Sequence, residues 1–336
     1  MRVYIDQSNL LSFFSSNEHP NYGDALRMLK SQCDLYLNFS KDVLLKDESL
    51  RAIIVQLTSG SKDSPKPRLS DTIFPPRPLK SNFNTELNDK NDLTAVYLLD
   101  DEKVSKVQDK GYLLVGGVGE EVDTLSKLFY EDYQFSKSFT PKRDMPHWNA
   151  LQETILPCTD IVIVDRYVFS DEGLLDYNLH AFLSELGGNF QGKKVKIVIF
   201  TSLQQEGKGA DGKKFYFTPD WNALKSGIKA YLQKVFNATS SVTIVALRRV
   251  EEHDRTIFAN YNNSFSGDSL NYYNSKWEVI TNGRNYAVHS HGLRQHLVNG
   301  FYFIDDMQTV LNKLTSQRDK ECIIGDKKSS FLHFPK

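Results

Sequence analysis

The chain has 336 residues, which suits two domains better than one and gives each domain room for a substantial buried core. Its 41 basic and 42 acidic side chains leave a formal net charge of -1, so no global basic field marks it for nucleic acid or anionic membranes. Three widely spaced cysteines form neither a disulfide framework nor a metal-binding cluster, and no apolar run approaches the ~20 residues of a membrane span. With no secretory leader at its start, the chain is predicted to be a folded, soluble, cytoplasmic protein.

The first residues, Arg2–Leu10, predict a short buried strand that ends at the carboxylate of Asp6 and then the start of a helix. The run Asp6-Gln7-Ser8-Asn9 resembles the Asp-x-Ser/Thr-Asn that closes the first strand in the PIN ribonuclease superfamily. This resemblance implies an N-terminal α/β domain in which Asp6, with further carboxylates, holds Mg2+ or Mn2+. Asp42 or Asp47, near the helix after the second predicted strand, would supply the next carboxylate. The alternative is that Asp6 only caps its helix.

A glycine-rich turn closes the strand predicted at Tyr112–Gly119, which follows a long predicted loop at 59–78 and a strand at Leu93–Leu99. Catalytic PIN domains carry an aspartate after a late strand, whereas this chain has Gly116 and Gly117 there. The resemblance therefore implies an incomplete metal site. A turn of this composition either cradles a phosphate or simply reverses the chain, and both interpretations stay open.

Aromatic and basic side chains alternate over residues 129–149. Such a stretch could stack single-stranded nucleic acid, and the alternative is an ordinary seam between domains. We place the domain boundary here. The chain is then predicted to hold an α/β domain at 1–145, a second α/β domain at 146–317 and a polar C-terminal tail at 318–336.

The second half alternates strands with helices. Continuous apolar runs at Asp160–Asp165, Val195–Thr201 and Val242–Leu247 predict strands buried on both faces. The alternation predicts an α/β domain with a mixed, mostly parallel sheet. Ligands of such sheets gather at the carboxyl ends of the strands. The side chains placed there by the sequence are Asp165, Arg166, Thr201, Arg248 and Arg249.

The last part of the chain predicts short strands at Trp277–Thr281 and Phe301–Ile304 and a helix at Met307–Leu314. The tail that follows ends in an apolar patch, Phe331–Phe334. Such a patch packs either on its own domain or on a partner.

One spaced motif follows the third apolar run directly, in the next predicted strand. It reads His253-x-Arg255-x4-Asn260-x6-Gly267 and continues as Leu270-Asn271-Tyr272. The spacing resembles the phospholipase D superfamily signature, His-x-Lys-x4-Asp-x6-Gly, with Arg for Lys and Asn for Asp. It resembles more closely the phospholipase-D-like C-terminal domain of eukaryotic MIT-domain proteins, where the same strand carries His-Asp-Arg.

The resemblance implies a phosphate site on the second domain. The catalytic residues it implies are His253, Arg255 and Asn260. The phosphate-binding residues it implies, with one neighbour added from the sheet, are Arg255, Asn260, Gly267, Ser269, Asn271 and Arg166. Catalytic members bring two motifs together and this chain has one, so cleavage would need a homodimer. Arginine keeps its charge and offers a planar fork to phosphate, which favours binding over turnover.

The sequence therefore predicts a non-catalytic or weakly catalytic module that recognises the phosphate of a nucleic acid, nucleotide or headgroup within a multi-protein assembly. The alternative is a phosphodiesterase or nuclease that uses a metal at Asp6 or His253 across a homodimer. Whether the protein is an enzyme stays open. No cofactor other than that metal is predicted. A purely structural interpretation also stays open, in which the His-Asp-Arg triplet only braces a strand end.

Overall fold

The computed structural model describes residues 1–59, 67–69, 92–109, 112–130, 133–189, 192–208, 213–248, 255–281, 284–314 and 322–335. The fold is mixed α/β, as predicted. It divides into two compact units, Met1–Phe135 with Ser290–Val298 and Ser136–His289 with Asn299–Lys336. The division thus falls at Phe135, before the predicted boundary at 145, and a late segment returns to the first unit. No helix among these residues is long and apolar enough to cross a membrane.

The first unit is built on a five-stranded parallel sheet in the order β3-β2-β1-β4-β5. Its strands are β1 (Arg2–Ile5), β2 (Asp34–Leu37), β3 (Arg68–Leu69), β4 (Val96–Leu98) and β5 (Leu114–Gly116). Its helices are Gln7–Ser15, Tyr22–Ser31, Lys41–Lys46, Glu48–Thr58, Asp101–Gln108 and Glu121–Ser126. Because all the strands run the same way, the residues that follow them meet at one edge of the sheet.

Tyrosines fill one face of this sheet. The rings of Tyr4 and Tyr97 stack with their centroids 5.1 Å apart, and Tyr112 lies 4.4 Å from Tyr97. The Tyr4 hydroxyl donates to Oδ1 of the buried Asp92 at 2.9 Å, which gives the phenol a polar partner inside the core. The short strands are therefore held by large aromatic surfaces on neighbouring strands.

The segment Ser290–Val298 completes the first unit although it comes late in the chain. The Ser290 amide donates to the Phe135 carbonyl at 2.8 Å, and its hydroxyl bonds the Leu128 carbonyl. The Arg294 amide donates to Oε1 of Gln32 at 3.1 Å. The first unit is therefore discontinuous in sequence.

The second unit carries an eight-stranded sheet in the order β15-β11-β8-β7-β12-β13-β14-β6, beside a two-stranded hairpin. The sheet strands are β6 (Ser136–Phe139), β7 (Asp160–Val164), β8 (Lys194–Ser202), β11 (Thr239–Leu247), β12 (Arg255–Ala259), β13 (Asn262–Ser266), β14 (Tyr286–Ser290) and β15 (Ile323–Gly325). The hairpin consists of β9 (Gln205–Lys208) and β10 (Lys214–Phe217), and the main helices are Pro141–Asp144, Leu179–Glu185 and Trp221–Phe236. The helix Arg294–Lys313 begins in the first unit, and its residues from Asn299 onward belong to the second unit.

Only part of this second sheet is parallel. Strands β7, β8 and β11 run parallel, as the three apolar runs predict. Strand β12 turns back antiparallel to β7, and β13 is antiparallel to β12. The mixed sheet is thus confirmed, but it is parallel only at its centre. The start of β12 consequently lies beside the carboxyl end of β7.

Two predictions for the last part of the chain are wrong. Residues 301–304 belong to the helix Arg294–Lys313, whose buried residues lie at helical spacing: Leu297, Gly300, Ile304, Met307 and Leu311. Residues 322–335, the described part of the predicted tail, are also more than a polar tail, because β15 pairs with β11 and Phe331 is buried edge-on against the Phe258 ring at 4.9 Å. The predicted strand at 277–281 is reduced to a single bridge between Tyr273 and Val279.

Candidate functional site

A buried carboxylate organises the carboxyl end of β7. Asp165 follows this strand directly and has no exposed surface. Its Oδ1 accepts the Tyr167 amide at 2.9 Å, its Oδ2 accepts the Leu270 amide at 2.6 Å, and the Ser269 hydroxyl reaches both oxygens at 2.8 Å. The carboxylate therefore pins the loop after β13 to the end of β7.

Opposing effects act on the pKa of Asp165. Burial raises the pKa of Asp165 above its ordinary value, while hydrogen bonds from Leu270, Tyr167 and Ser269 and the positive charge of Arg255 act the other way. Both oxygens accept a backbone N–H, and these hydrogen bonds favour the ionised carboxylate. The loop after β13 is thus anchored to the Asp165 carboxyl group, whose hydrogen-bond partners all act as donors.

Three arginines gather above this anchor. Arg255 begins β12, and its Nη1 donates to the Gly267 carbonyl at 3.2 Å. Arg284 donates its Nη1 to the same oxygen at 3.1 Å. The Tyr167 ring centroid lies 6.0 Å from Cζ of Arg255 and 5.4 Å from Cζ of Arg166. We call Arg166, Arg255 and Arg284 the arginine cluster.

This arrangement can attract an anion. Two guanidinium groups that share one carbonyl oxygen repel each other, and the negative charge of Asp165 near Arg255 offsets part of this repulsion. A bound anion would offset more of it. Guanidinium is also the side chain best matched to phosphate, because its planar fork donates two parallel hydrogen bonds. Among the described residues, neither Arg166 nor Arg284 forms a salt bridge with a carboxylate.

Two other residues of the motif serve the loop. The hydroxyl of Ser269 is directed at Asp165, as described above. The Asn271 amide donates to the Tyr167 carbonyl at 2.7 Å and to Oγ of Ser170 at 2.9 Å. Both side chains therefore stabilise the loop that carries Gly267.

Asn260 is not brought to Arg255. It follows the far end of β12, where its Oδ1 accepts the amides of Thr159 at 2.9 Å and Asp160 at 3.0 Å. It is 2% exposed. Since a strand advances about 3.3 Å per residue, a whole strand separates the two side chains. The phosphate and catalytic roles predicted for Asn260 do not fit this placement, and its contacts are those of a residue that fixes the start of β7.

The remaining predicted neighbours are placed as follows. His253 and Arg249 lie outside the described residues. Thr201 is buried in β8, and its hydroxyl donates to the Arg166 carbonyl at 3.2 Å. Arg248 is exposed just after β11. Of these residues, Thr201 therefore supports the backbone of the arginine cluster.

A second cluster lies at the carboxyl edge of the first unit's sheet. Asp6, which is 2% exposed, follows β1. Its Oδ1 accepts Nδ2 of Asn38 at 2.7 Å, and its Oδ2 accepts Nζ of Lys103 at 2.7 Å and the Asp100 amide at 2.9 Å. Asn38 follows β2 and Asp100 comes shortly after β4, so three strand ends converge as the parallel sheet requires.

Lys103 joins two carboxylates in this cluster. Its Nζ also lies 2.9 Å from Oδ2 of Asp100, whose other oxygen accepts the Ser8 hydroxyl. Burial opposes ionisation of Asp100, but the hydrogen bonds from Ser8 and Lys103 hold its pKa below the ordinary value. Burial likewise opposes the charge on Lys103, and its bonds to Asp6 and Asp100 raise its pKa. The cleft at this point has a volume of about 410 Å³ and is lined by Asp6, Gln7, Ser8, Leu11, Asn38, Asp100 and Lys103.

Neither sequence interpretation of Asp6 fits this geometry. Asp42 is exposed on the helix Lys41–Lys46 and does not line the cleft, and Asp47 caps the next helix by accepting the Leu50 amide at 3.0 Å. In the described ranges, no group of three or more His, Cys, Asp or Glu side chains is arranged to hold a metal ion. Asp6 stands at the N-cap position of Gln7–Ser15 but makes no capping hydrogen bond.

The glycine-rich turn after β5 is no phosphate cradle. The Gly117 amide donates to Glu120 at 2.9 Å, the Val118 amide to Asp101 at 2.9 Å, and the Gly119 amide to Glu121 at 3.0 Å. The chain's own carboxylates thus take the N–H groups that would face a phosphate, and their charges would repel one.

The aromatic stretch at 129–149 is packed inside the units. The rings of Phe129, Tyr133 and Phe135 contact one another within the first unit. Trp148 is 1% exposed and packs edge-on against Phe182 and other rings of the second unit. Phe135 and Trp148 are buried, whereas Phe129 and Tyr133 are half-buried and pack against neighbouring side chains, which favours a packing role for this stretch.

Sequence reasoning missed Asp100, Lys103 and Arg284. Asp100 comes shortly after a predicted strand, as Asp6 follows the first one, and Lys103 lies one helical turn further on. That pattern could have found both. Arg284 is 17 residues from Gly267 and carries no sequence signal of its own.

Comparison with known proteins adds little. No family model matches the chain, and a search of curated proteins gives no match. Among solved structures, the chain is similar to TrmBL2, an archaeal chromatin protein whose structure was described as showing a novel mode of DNA binding, with 11% identity and a TM-score of 0.28. The match covers 63% of each chain, and a likeness this slight supports no inference about fold or function.

Proposed function

We propose that the second unit recognises a phosphate-bearing ligand at the arginine cluster. The ligand class is a nucleic acid, nucleotide or headgroup, all of which present the same phosphate chemistry. The observation that carries the proposal is the pair of guanidinium groups, Arg255 and Arg284, that share the Gly267 carbonyl. A phosphate oxygen beside that carbonyl would be within reach of both groups.

The position of the cluster supports the same function. It lies at the carboxyl end of β7, the edge at which α/β sheets bind their ligands. The loop that carries Gly267 is held by the buried Asp165, so the guanidinium groups meet at a fixed backbone atom. A ligand therefore meets donors whose positions are set before it binds, which lowers the entropic cost of binding.

Binding fits the described residues better than cleavage. Arginine stays protonated and cannot act as a base or a nucleophile. Asn260 lies at the other end of its strand, and the Asp6 cluster does not fit a divalent metal. Cleavage by His253 across a homodimer remains an alternative outcome of the experiment below.

The test measures binding of a short fluorescein-labelled single-stranded DNA by fluorescence anisotropy. The variant is Arg284→Gln, which removes an exposed charge from the cluster. The control is Arg143→Gln, which removes an exposed charge from the same unit, where Arg143 is ion-paired with Asp144 at 2.7 Å. We expect the first variant to weaken binding roughly tenfold, or about 1.4 kcal/mol, and the second less than about twofold.

Salt dependence and competition give further readouts. Loss of one phosphate contact should reduce the slope of log affinity against log salt by about 1. Competition with inorganic pyrophosphate, a nucleotide and anionic vesicles distinguishes the sources of the phosphate. Equal affinity for Arg284→Gln and Arg143→Gln, or no binding of any phosphate probe by the native chain, would overturn the proposal. If the native chain cleaves the DNA and His253→Ala does not, the binding proposal is replaced by a nuclease function.

A further inference from the structure

The first unit gathers polar side chains at the carboxyl edge of its parallel sheet, and Lys103 bonds both carboxylates of that cluster. The Lys103 Nζ lies 2.7 Å from Oδ2 of Asp6 and 2.9 Å from Oδ2 of Asp100. A Mg2+ or Ca2+ ion bridging the same two oxygens would sit about 2.0–2.6 Å from each of them. The ammonium group and such an ion would therefore occupy the same space.

We propose that Lys103 is a built-in cation that takes the place of a divalent metal between Asp6 and Asp100. The inference concerns the first unit and does not depend on the arginine cluster. In this cleft the negative charges of Asp6 and Asp100 are neutralised by the Lys103 side chain. It follows that the native protein binds no divalent ion here, and that removing the lysine exposes a site for one.

The other contacts of Asp6 agree with this inference. Its Oδ1 accepts the Asn38 amide group, and its Oδ2 also accepts the Asp100 backbone N–H. All of these partners are hydrogen donors, so each contact of Asp6 is one that a carboxylate makes without a metal. Among the described residues, Asp100 is the one further carboxylate that contacts Lys103. The cluster is therefore complementary to an ammonium group with three donors.

Charge explains why the lysine is required. Asp6 is almost fully buried, and its carboxylate faces that of Asp100 across Lys103. Without a cation the two negative charges would repel each other in a partly buried site. The raised pKa of Lys103 and the lowered pKa of Asp100 are the expected result of this mutual stabilisation. A divalent ion should be able to restore it when the lysine is absent.

The experiment is scanning calorimetry of the full chain in the presence of EDTA, Mn2+ or Ca2+. Lys103→Met keeps most of the aliphatic stem and removes the charge. We expect its first unit to melt about 3–6 °C lower than that of the native chain in EDTA, and millimolar Mn2+ or Ca2+ to recover most of this loss. The native chain should melt at the same temperature with or without the ions.

Two controls separate this effect from general ion stabilisation. Lys229→Met removes a comparable lysine that bonds a single carboxylate, Asp326, at 3.0 Å, and its melting should not respond to metal. The double variant Lys103→Met/Asp6→Asn should lose the metal response. A Lys103→Met protein that folds but ignores both ions would overturn the proposal.

Direct titration of the native chain with Mn2+, followed by calorimetry, tests the proposal without relying on the folding of any lysine variant. We expect the native chain to show no Asp6-dependent binding at millimolar Mn2+. The titrations of the native chain and of Asp6→Asn should therefore be the same. Binding that depends on Asp6 would show that the metal displaces Lys103, and the inference would then be wrong. The phosphate-binding assay measures binding at the arginine cluster of the second unit, whereas the metal titration concerns the first unit. Either proposal can therefore fail without the other.

Discussion

Replacing Asp165 with asparagine should lower the free energy of unfolding of the second unit by about 1–3 kcal/mol. Each carboxyl oxygen accepts a backbone N–H, one from Tyr167 and one from Leu270. An asparagine side chain has one acceptor oxygen and one NH2 group, so either amide must face another donor. The Ser269 hydroxyl can rotate to adapt, whereas a backbone amide cannot. The predicted cost is that of one buried and unsatisfied N–H group.

Urea denaturation followed by tryptophan fluorescence measures this cost in the right part of the chain. All three tryptophans, Trp148, Trp221 and Trp277, belong to the second unit. The control is Asp171→Asn, because this exposed residue accepts one amide, that of Gly173, at 3.0 Å, and asparagine can do the same. We expect the control to stay within about 0.5 kcal/mol of the native chain. A similarly small change in Asp165→Asn would refute the assignment of the carboxylate as the anchor of the loop.

Two further predictions use the same denaturation assay. Gly227→Ala should stabilise the second unit by about 0.5–1 kcal/mol, because the helix gains an alanine and nothing lies within 4 Å of the new methyl group. Gly300→Ala should destabilise the second unit by about 1–3 kcal/mol, because the new methyl group would meet the Phe258 ring at 2.5 Å. Equal changes in stability for Gly227→Ala and Gly300→Ala would refute the packing argument. For the first unit, the stability lost in Lys103→Met should be greatest at neutral pH. The lowered pKa of Asp100 means that its stabilisation is present above pH 3.8 and is lost as pH falls through the folded-state pKa. The raised pKa of Lys103 means that its stabilisation is present below pH 10.5 and is lost as pH rises through the folded-state pKa, which lies higher. A stability difference that did not change with pH would contradict the ion-pair assignment.

The sequence predicts the strands of the second sheet well where burial alone decides. Strands β7, β8 and β11 are apolar runs buried on both faces, and no other element competes for such a pattern. The same rule fails at Phe301–Ile304, where four residues rich in aromatic and branched side chains suggest a strand. The helical spacing of the buried residues Leu297, Ile304, Met307 and Leu311 extends over more turns and prevails, although Val298 and Tyr302 of the same helix are exposed.

The candidate site shows where sequence reasoning stops. The rule that ligands gather at strand ends directs attention to Asp165 and Arg166, and motif spacing directs it to Arg255. Spacing along a strand cannot say which of its two ends faces a ligand. Asn260 follows the end of β12 away from Arg255, where its Oδ1 accepts the Asp160 amide. Arg284 joins the cluster through tertiary structure alone.

The discontinuity of the first unit affects both its synthesis and its dissection. Because Ser290–Val298 bonds to residues such as Phe135 and Gln32, the unit is incomplete until most of the chain has left the ribosome. A truncated protein ending near residue 135 would expose the carbonyls that this segment covers. Isolating the first unit would therefore call for grafting the late segment onto it through a short linker.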